Sequence, residues 1–377
     1  MHVDATPLII GAMVFVSSLI SLRFGISVAI FEIILGIIAG NSGLKTGTWM
    51  LYLANFGGII LTFMAGTEID TRLLKENFKE SFLIGFCSFL GPFVGIFLFT
   101  RYVAGWDFKA SLIAGTAMSE TSLAVVYSVL VETDMSKTKI GKLLMVVTFI
   151  TNMGTALALS FLFMKPTLYT AVFMLVSLGI IFLASKYTFM IFYHPLLKNK
   201  VIEPEIKYIF LMLLLFMYFA NVGSSQAILP AFLLGLFMSK YFKESRSTKI
   251  VKNRLRTVSY AIITPMFFIA GGMKVSLKII MAGFGLFILL FAVRQITKFL
   301  GVYFLAKKYI PRGNLYITLL LSTGLTFGLI AILFGLNGGY ITDEQYSVLT
   351  GVLIASAVIP TFIAQKWFLP VGEEDLI

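Results

Sequence analysis

The sequence predicts an all-α polytopic membrane protein with about 13 transmembrane helices, and two observations support this. Of its 377 residues, 58% are hydrophobic and only 13% are charged, whereas a soluble domain carries about 25% charged residues. The apolar residues also gather in long runs that are apolar on all sides, as a helix surrounded by lipid must be. Transmembrane β-strands would instead alternate apolar and polar positions over about ten residues.

The apolar runs follow one another along the whole chain, with short connections. The N-terminus lacks the basic start of a cleavable signal, so the first run is expected to remain as a span. At about 20 residues per crossing, thirteen spans leave no room for a separate extramembrane domain. The runs cover residues 7–21, 25–41, 50–68, 81–104, 109–132, 139–163, 168–193, 206–222, 226–241, 257–273, 278–306, 314–336 and 345–366.

The positive charges predict the orientation in the membrane. The chain has 30 Lys and Arg against 18 Asp and Glu, and cytoplasmic loops of membrane proteins collect Lys and Arg. With the N-terminus outside, the inner loops hold most of these cations, and the segment 240–256 is the densest. We therefore expect a multi-pass protein of the cell (cytoplasmic) membrane with a cytoplasmic C-terminus. The net charge of +12 reflects this bias, so no nucleic acid partner is expected.

The sequence offers little for enzymatic or zinc chemistry. His2 and His194 are the only histidines, and Cys87 is the only cysteine. No H-E-x-x-H motif or cysteine–histidine cluster can form from them. We therefore expect no intramembrane enzyme, no zinc site and no cofactor.

Thirteen runs divide into six, a linking helix and six more, which gives two halves of opposite orientation. Such an inverted repeat is common in transporters, and paired helix interruptions at equivalent positions indicate a midplane binding site. The fifth run corresponds to the twelfth, and small and polar residues interrupt both, at 114–122 and 322–328. The sequence therefore predicts two discontinuous helices that meet at mid-depth, the second broken around Thr323, Gly324 and Thr326.

Glu120 lies in the middle of the fifth run, next to Ser119 and Thr121. An ionisable group at this depth costs about 2.5–3.5 kcal/mol on insertion scales. A carboxylate among hydroxyls and free backbone carbonyls suits Na⁺ or K⁺, and the same carboxylate can bind a proton instead. Competition between the two ligands would couple their movements. The alternative is a protonated Glu120 that only hydrogen-bonds a neighbouring helix.

Two cations lie inside the eleventh run. Arg294 and Lys298 are four residues apart, so they share one face of a helix, and they need an acidic or carbonyl partner. Glu120 and the backbone ends of the broken helices are the two candidates. Glu32, in the second run, is interpreted as structural, with a vestibule or a subunit contact as alternatives.

Five stretches, in order along nearly the whole chain, resemble the membrane domain of the cation–proton antiporters. The similarity is to the branch with bacterial sodium–proton antiporters and glutathione-gated potassium efflux systems. Each stretch is short, and their order carries the resemblance. They are residues 31–40, 64–70, 119–122, 231–235 and 265–273.

The resemblance implies a homodimer in the lipid bilayer, with a mobile core that carries the two crossed, discontinuous helices and moves like an elevator against a dimerisation scaffold. It also implies that Lys298 or Arg294 pairs with the acidic centre. The core would comprise residues of about 81–163 and 278–366, the scaffold about 7–68 and 206–273, and the linking helix about 168–193.

The chain departs from the family's pattern in the sixth span. The acidic pair that usually carries the ion and the proton falls here on Thr151 and Asn152. We therefore hypothesise that Glu120 replaces the missing carboxylate and that Thr151 and Asn152 are neutral oxygen ligands. Glu120 and Asn152 would then hold the transported Na⁺ or K⁺. One carboxylate that carries one proton per cation would make exchange electroneutral.

The expected function is thus secondary antiport of a monovalent cation and protons. Two alternatives stay open from the residues. With two basic groups mid-membrane and the usual aspartate absent, the site could carry an organic anion together with sodium. A regulated cation channel is the other alternative.

Overall fold

The computed structural model describes residues 5–24, 27–68, 78–133, 135, 138–163, 167–193, 202–223, 226–244 and 246–370. Asp70, at the end of the 64–70 stretch, and both histidines lie outside these ranges. All regular structure in the described residues is helical.

The first half of the chain forms eight described helices. They are α1 (Thr6–Phe24), α2 (Val28–Asn41), α3 (Thr48–Thr67), α4 (Phe78–Leu98), α5 (Phe108–Ser119), α6 (Leu123–Glu132), α7 (Lys139–Leu162) and α8 (Leu168–Tyr193).

The second half forms nine described helices. They are α9 (Pro204–Val222), α10 (Ile228–Glu244), α11 (Arg246–Val258), α12 (Thr264–Met273), α13 (Leu277–Ala282), α14 (Phe284–Tyr309), α15 (Asn314–Leu321), α16 (Thr326–Asn337) and α17 (Asp343–Trp367).

These helices confirm the predicted fold class. In the described part of the chain, ten helical segments are long and apolar enough to cross a membrane, and three shorter apolar helices accompany them. Each predicted apolar run falls on one or two of the observed helices. The count of thirteen crossings and the inverted repeat stay predictions.

One connection is more regular than the sequence indicated. The segment between the ninth and tenth runs was expected to be a basic loop, but most of it forms helix α11. Its apolar positions, among them Val251 and Leu255, are buried, while Lys249 and Arg254 are exposed. Helix formation pairs the backbone groups of this segment, and the amphipathic pattern leaves its charged side chains exposed.

Local sequence explains where the helices that carry the site begin. Asp107 accepts a hydrogen bond from the backbone N–H of Lys109 (3.1 Å) and so caps α5. Thr342 and Gln345 form a reciprocal capping box at the start of α17, which satisfies backbone N–H groups that have no partner within the helix.

Small residues bring α4 and α14 into close contact. A Cβ on Gly91 would lie 2.9 Å from the carbonyl oxygen of Thr297, and one on Gly301 would lie 2.6 Å from that of Cys87. Side chains at these glycines would hold the two backbones apart. The close packing places the buried face of α14 against α4, where it contributes to the site.

The chain divides into two compact units. Unit 1 comprises Met1–Thr48, Arg72–Thr155 and Phe268–Ile377, and unit 2 comprises Trp49–Thr71 and Ala156–Phe267. Unit 1 therefore includes α1 and α2, which the sequence grouped with the scaffold. Compactness does not identify which helices move together, so the core and scaffold bundles stay predictions.

Within unit 2, partly exposed ion pairs join helix α11 to two other helices. The carboxylate of Glu68, just after α3, accepts hydrogen bonds from Lys252 (3.0 Å) and from Arg256, both on α11. Arg254 of the same helix pairs with Glu203. These ion pairs hold α11 against the end of α3 and the start of α9.

Candidate functional site

Two helices are interrupted where the sequence predicted breaks, and the interruptions are in contact. Helix α5 ends at Ser119 and α6 begins at Leu123; α15 ends at Leu321 and α16 begins at Thr326. The hydroxyl of Thr121 donates to the carbonyl of Leu321 (2.9 Å). The backbone N–H of Ser122 donates to the carbonyl of Thr323 (3.2 Å). The two breaks therefore form one polar region inside unit 1.

Glu120 is fully buried at the first break. Its Oε1 atom accepts a hydrogen bond from the backbone N–H of Leu325, at the start of α16. The N-terminal end of a helix carries a partial positive charge and unpaired N–H groups, so it stabilises a carboxylate. The second oxygen, Oε2, is buried and accepts no hydrogen bond of normal geometry, and the backbone N–H of Gly328 also stabilises the charge of the carboxylate. The structure thus leaves one carboxylate oxygen available for a ligand.

Lys298 and Arg294 lie on one face of α14, as predicted, and both are fully buried. The Nζ atom of Lys298 donates to the carbonyls of Ser88 (2.8 Å), Ser119 (2.5 Å) and Glu120 (3.3 Å). These acceptors include the C-terminal end of α5, whose carbonyls carry a partial negative charge. Lys298 therefore caps the first broken helix.

Arg294 caps the second broken helix in the same way. Its Nη1 group donates to the carbonyl of Ser322 at the end of α15, and its Nη2 group donates to that of Glu120 (3.3 Å). Of the two partners that the sequence left open, the backbone ends receive the hydrogen bonds of both cations. The Glu120 side chain lies close enough to interact with both through charge.

Gly324 is the point of closest approach within the site. A Cβ at this position would collide with the guanidinium of Arg294 and would lie 3.2 Å from Oε1 of Glu120. The hydroxyl of Ser356 on α17 donates to the Gly324 carbonyl (3.3 Å). The second break therefore needs a glycine, and α17 helps to fix its position.

The predicted hydroxyl residues of the two breaks differ in whether their hydroxyl groups have a hydrogen-bond partner. The hydroxyls of Ser119 and Thr323 donate to carbonyls of their own helices, at 2.5 Å from Gly115 and 2.7 Å from Leu320. The hydroxyl of Thr326, in contrast, is buried without a hydrogen-bond partner. Thr326 therefore adds a free oxygen to the region beside Glu120.

Thr151 and Asn152 lie on α7, buried in unit 1. The Thr151 hydroxyl donates to the carbonyl of Val147 (2.9 Å), and both polar atoms of the Asn152 side chain lack a partner. No hydrogen bond joins either residue to Glu120. Their role as cation ligands stays a prediction.

Sequence reasoning missed several parts of the site. Ser88 and Ser322 take part through backbone carbonyls, and Leu325 through its N–H group. Every residue carries the same backbone groups, so the pattern of side chains in the sequence does not predict which of them will take part. Ser356 contributes its hydroxyl, but a serine in a membrane helix usually reflects packing.

Metal-site chemistry for divalent ions is not evident in the described ranges. They contain no group of three or more Cys, His, Asp or Glu residues that could hold a metal ion. Glu32 is buried on α2 and is not hydrogen-bonded to the described residues around Glu120.

Comparisons with known proteins agree over almost the full length. Residues 10–368 match the family described as sodium/hydrogen exchanger, transmembrane. The chain is 26% identical to a probable Na⁺/H⁺ antiporter 3 of Methanocaldococcus jannaschii, with 96% of this chain and 95% of that protein covered. It is 25% identical to a Na⁺/H⁺ antiporter of Enterococcus hirae, with 94% of each covered.

A solved structure shares the fold. The sodium proton antiporter MjNhaP1 of Methanocaldococcus jannaschii, at pH 8, superposes with a TM-score of 0.70 and 15% sequence identity, covering 95% of this chain and 97% of that one. At this identity the likeness supports the fold alone.

Proposed function

The chain belongs to the sodium/hydrogen exchanger family, and from its buried site we propose that it is a secondary antiporter that exchanges Na⁺ or K⁺ for H⁺. It is a multi-pass membrane protein and not an enzyme, because the members of this family are transporters. We further propose that it acts in the cell membrane as a homodimer, with its N-terminus outside.

The observation that carries this proposal is the state of the Glu120 carboxylate. One oxygen is bound by the N–H of Leu325, and the other is buried and accepts no hydrogen bond of normal geometry. An unpaired carboxylate oxygen in a low-dielectric interior is costly. A proton or a monovalent cation would each satisfy it, and the two cannot occupy it together.

The oxygens around the carboxylate can complete a cation site. A hydroxyl that donates its hydrogen to a carbonyl keeps its oxygen lone pairs, so Ser119, Thr121 and Thr151 can still bind a cation. Thr326 and the carbonyl oxygen of the Asn152 amide are buried and unpartnered. We propose that the transported Na⁺ or K⁺ is held by Glu120 and Asn152, with these hydroxyls as further ligands.

The two buried cations keep the site's charge constant. Lys298 and Arg294 are bound to carbonyls at helix ends that each carry about half a negative charge, so neither needs to leave during transport. The one group that changes occupancy is Glu120. Replacing its proton by one monovalent cation leaves the charge of the loaded site unchanged, which supports electroneutral exchange with one proton per cation.

We propose that the site reaches the two sides of the membrane by an elevator movement of the core, about 81–163 and 278–366. The breaks at Thr323 and Gly324 and at Glu120 are bound to each other and to α14. Because these contacts lie within the proposed core, the site can move as one body.

Reconstituted protein tests the function directly. In proteoliposomes with a preset ΔpH, addition of Na⁺, K⁺ or Li⁺ is expected to dissipate the gradient for the transported ion. Glu120→Gln, which keeps the shape but removes the titratable oxygen, should abolish this response. Glu32→Gln removes another buried carboxylate and should retain it, which makes it the matched control. Full proton-coupled flux by Glu120→Gln would refute the role of Glu120.

The two alternatives make different predictions in the same vesicles. A sodium-coupled organic anion transporter would need its basic groups free for the anion, whereas Lys298 and Arg294 donate to carbonyls. Sodium-dependent uptake of a labelled organic anion without a Na⁺-driven pH change would favour it. A regulated channel would give conductance above transporter rates and no uphill exchange.

A further inference from the structure

Helix α2 packs closely against the part of α12 from residue 268 onward, which lies with α2 in unit 1. A Cβ on any of Gly36, Gly40 or Gly272 would collide with the backbone of the other helix. The side chain of Asn41, at the end of α2, adds hydrogen bonds to residues 275–277, accepting from one N–H (3.1 Å) and donating to one carbonyl (2.8 Å). At this end the two helices can move only together.

Helices α16 and α17 belong to the site. The N–H group at the start of α16 holds the Glu120 carboxylate, and Ser356 of α17 holds the carbonyl of Gly324. Any displacement of these two helices therefore displaces the carboxylate.

Three hydrogen bonds join the two helix pairs at one edge of the unit. All of them lie at helix ends, and each links the α12–α13 region to the end of α16 or the start of α17. They run from the Tyr346 hydroxyl to the Gly271 carbonyl (2.7 Å), from the Ser276 N–H to the Ser347 hydroxyl (3.0 Å), and from Lys274 Nζ to Asn337 Oδ1 (3.0 Å).

A cavity borders the other end of α17. A cavity of about 260 Å³ lies between the beginning of α2, helix α6 and the second half of α17, and its lining includes Ser27, Ile30, Val125, Val129, Ala357 and Thr361. Tyr346 and Thr361 are 15 residues apart on α17, about 22 Å along a helix. Helix α17 is thus hydrogen-bonded to the α12–α13 region near its start, and its second half borders a cavity that it shares with α2 and α6.

We infer that these three hydrogen bonds form an extracytoplasmic latch that closes the outer route to the Glu120 site. The inference rests on the proposed antiport and on the predicted topology, which puts residues 273–277 and 337–346 outside and the cavity on the cytoplasmic side. Outward access requires α16 and α17 to separate from α12, so the latch must break once in each transport cycle. Tyr346 is fully buried, and its hydroxyl forms a buried hydrogen bond with the Gly271 carbonyl.

Reversible crosslinking tests the latch. The chain has one cysteine, so Ser276→Cys with Ser347→Cys in a Cys87→Ala background gives a defined thiol pair. A short bifunctional methanethiosulfonate reagent should join the pair and stop Na⁺/H⁺ exchange in proteoliposomes, and a reducing agent should restore it. Each single cysteine variant should keep its exchange rate after the same treatment.

The outcomes separate the latch from the antiport. No exchange in the untreated parent would overturn the proposed function. Exchange in the parent that continues at full rate after complete crosslinking would overturn the latch. So would failure of the pair to crosslink when both thiols react singly.

A second variant reports on the equilibrium without a crosslink. Tyr346→Phe removes one hydrogen bond and should shift the population toward the outward-facing form by about fivefold. A Thr361→Cys probe in the cavity, in the Cys87→Ala background, should then react more slowly with an impermeant maleimide applied from the cytoplasmic side. Tyr52→Phe, an exposed tyrosine of α3, is the control. The Thr361→Cys parent, its Tyr346→Phe variant and its Tyr52→Phe variant are compared. Equal labelling rates in these three proteins would contradict the latch.

Discussion

The backbone N–H of Leu325 donates a hydrogen bond to the carboxylate of Glu120, although 205 residues separate them in the sequence. Each residue lies at the interruption of a different helix. The bond occupies one carboxylate oxygen, and the other accepts no hydrogen bond of normal geometry. A site arranged in this way has one position at which a proton and a cation compete, and the following predictions depend on it.

Gly324→Ala is expected to lower the exchange rate by tenfold or more. A tenfold loss corresponds to a rise of about 1.4 kcal/mol in the activation free energy of transport. The added methyl group would displace the Arg294 guanidinium and crowd Glu120. Initial rates of Na⁺-driven pH change in proteoliposomes measure the effect. Gly285→Ala on α14, where a Cβ would meet nothing within 4 Å, should leave the rate unchanged. Similar rates for both variants would show that the break tolerates a side chain.

Lys298→Met is expected to destabilise the protein. It leaves buried carbonyls of Ser88 and Ser119 without their donor, and each such loss costs about 1–3 kcal/mol. The midpoint temperature of the detergent-solubilised protein, followed by size-exclusion chromatography after heating, should fall. Lys278→Met, at an exposed position, is the control. An unchanged midpoint for Lys298→Met would mean that the helix ends do not need this cap.

Asn152→Asp is expected to make transport sensitive to membrane potential. A second carboxylate at the cation site can take up a second proton, so two protons would be exchanged for one cation and the two loaded states would no longer carry equal charge. Currents on solid-supported membranes should appear after Na⁺ addition in this variant and be absent in the parent. Asn152→Ala should remain electroneutral. Currents in the parent would contradict a single carboxylate carrier.

The apparent KM for Na⁺ is expected to rise as pH falls. At acidic pH the proton occupies Glu120, so more Na⁺ is needed to displace it, approaching tenfold per pH unit where the carboxylate is mostly protonated. At alkaline pH the competition disappears and KM should level off. Rates measured over a Na⁺ series at several equal inside and outside pH values test this. A KM that does not change with pH would exclude direct competition.

The interrupted helices could be predicted because their side chains are unusual for a lipid environment. Glu120 among hydroxyls, and the small polar residues around Gly324, stand out in apolar runs. The common face of Arg294 and Lys298 followed from their spacing. These features depend on side-chain chemistry and helical periodicity, which the sequence displays.

The partners of these groups could not be predicted in the same way. Lys298 binds backbone carbonyls of Ser88 and Ser119, and every residue has such a carbonyl. The choice depends on the close packing of α4 and α14 at Gly91 and Gly301, a property of the folded chain. The helical state of α11 was missed because its high charge also suits a solvated loop.

Proton release on cation binding measures the competition itself. Adding Na⁺ to the purified, weakly buffered protein at a pH where Glu120 is partly protonated should release protons, up to one for each Na⁺ bound. Glu120→Gln should release none, while Glu32→Gln should match the parent. Sodium binding to the parent without proton release, or undiminished release from Glu120→Gln, would contradict the shared carboxylate.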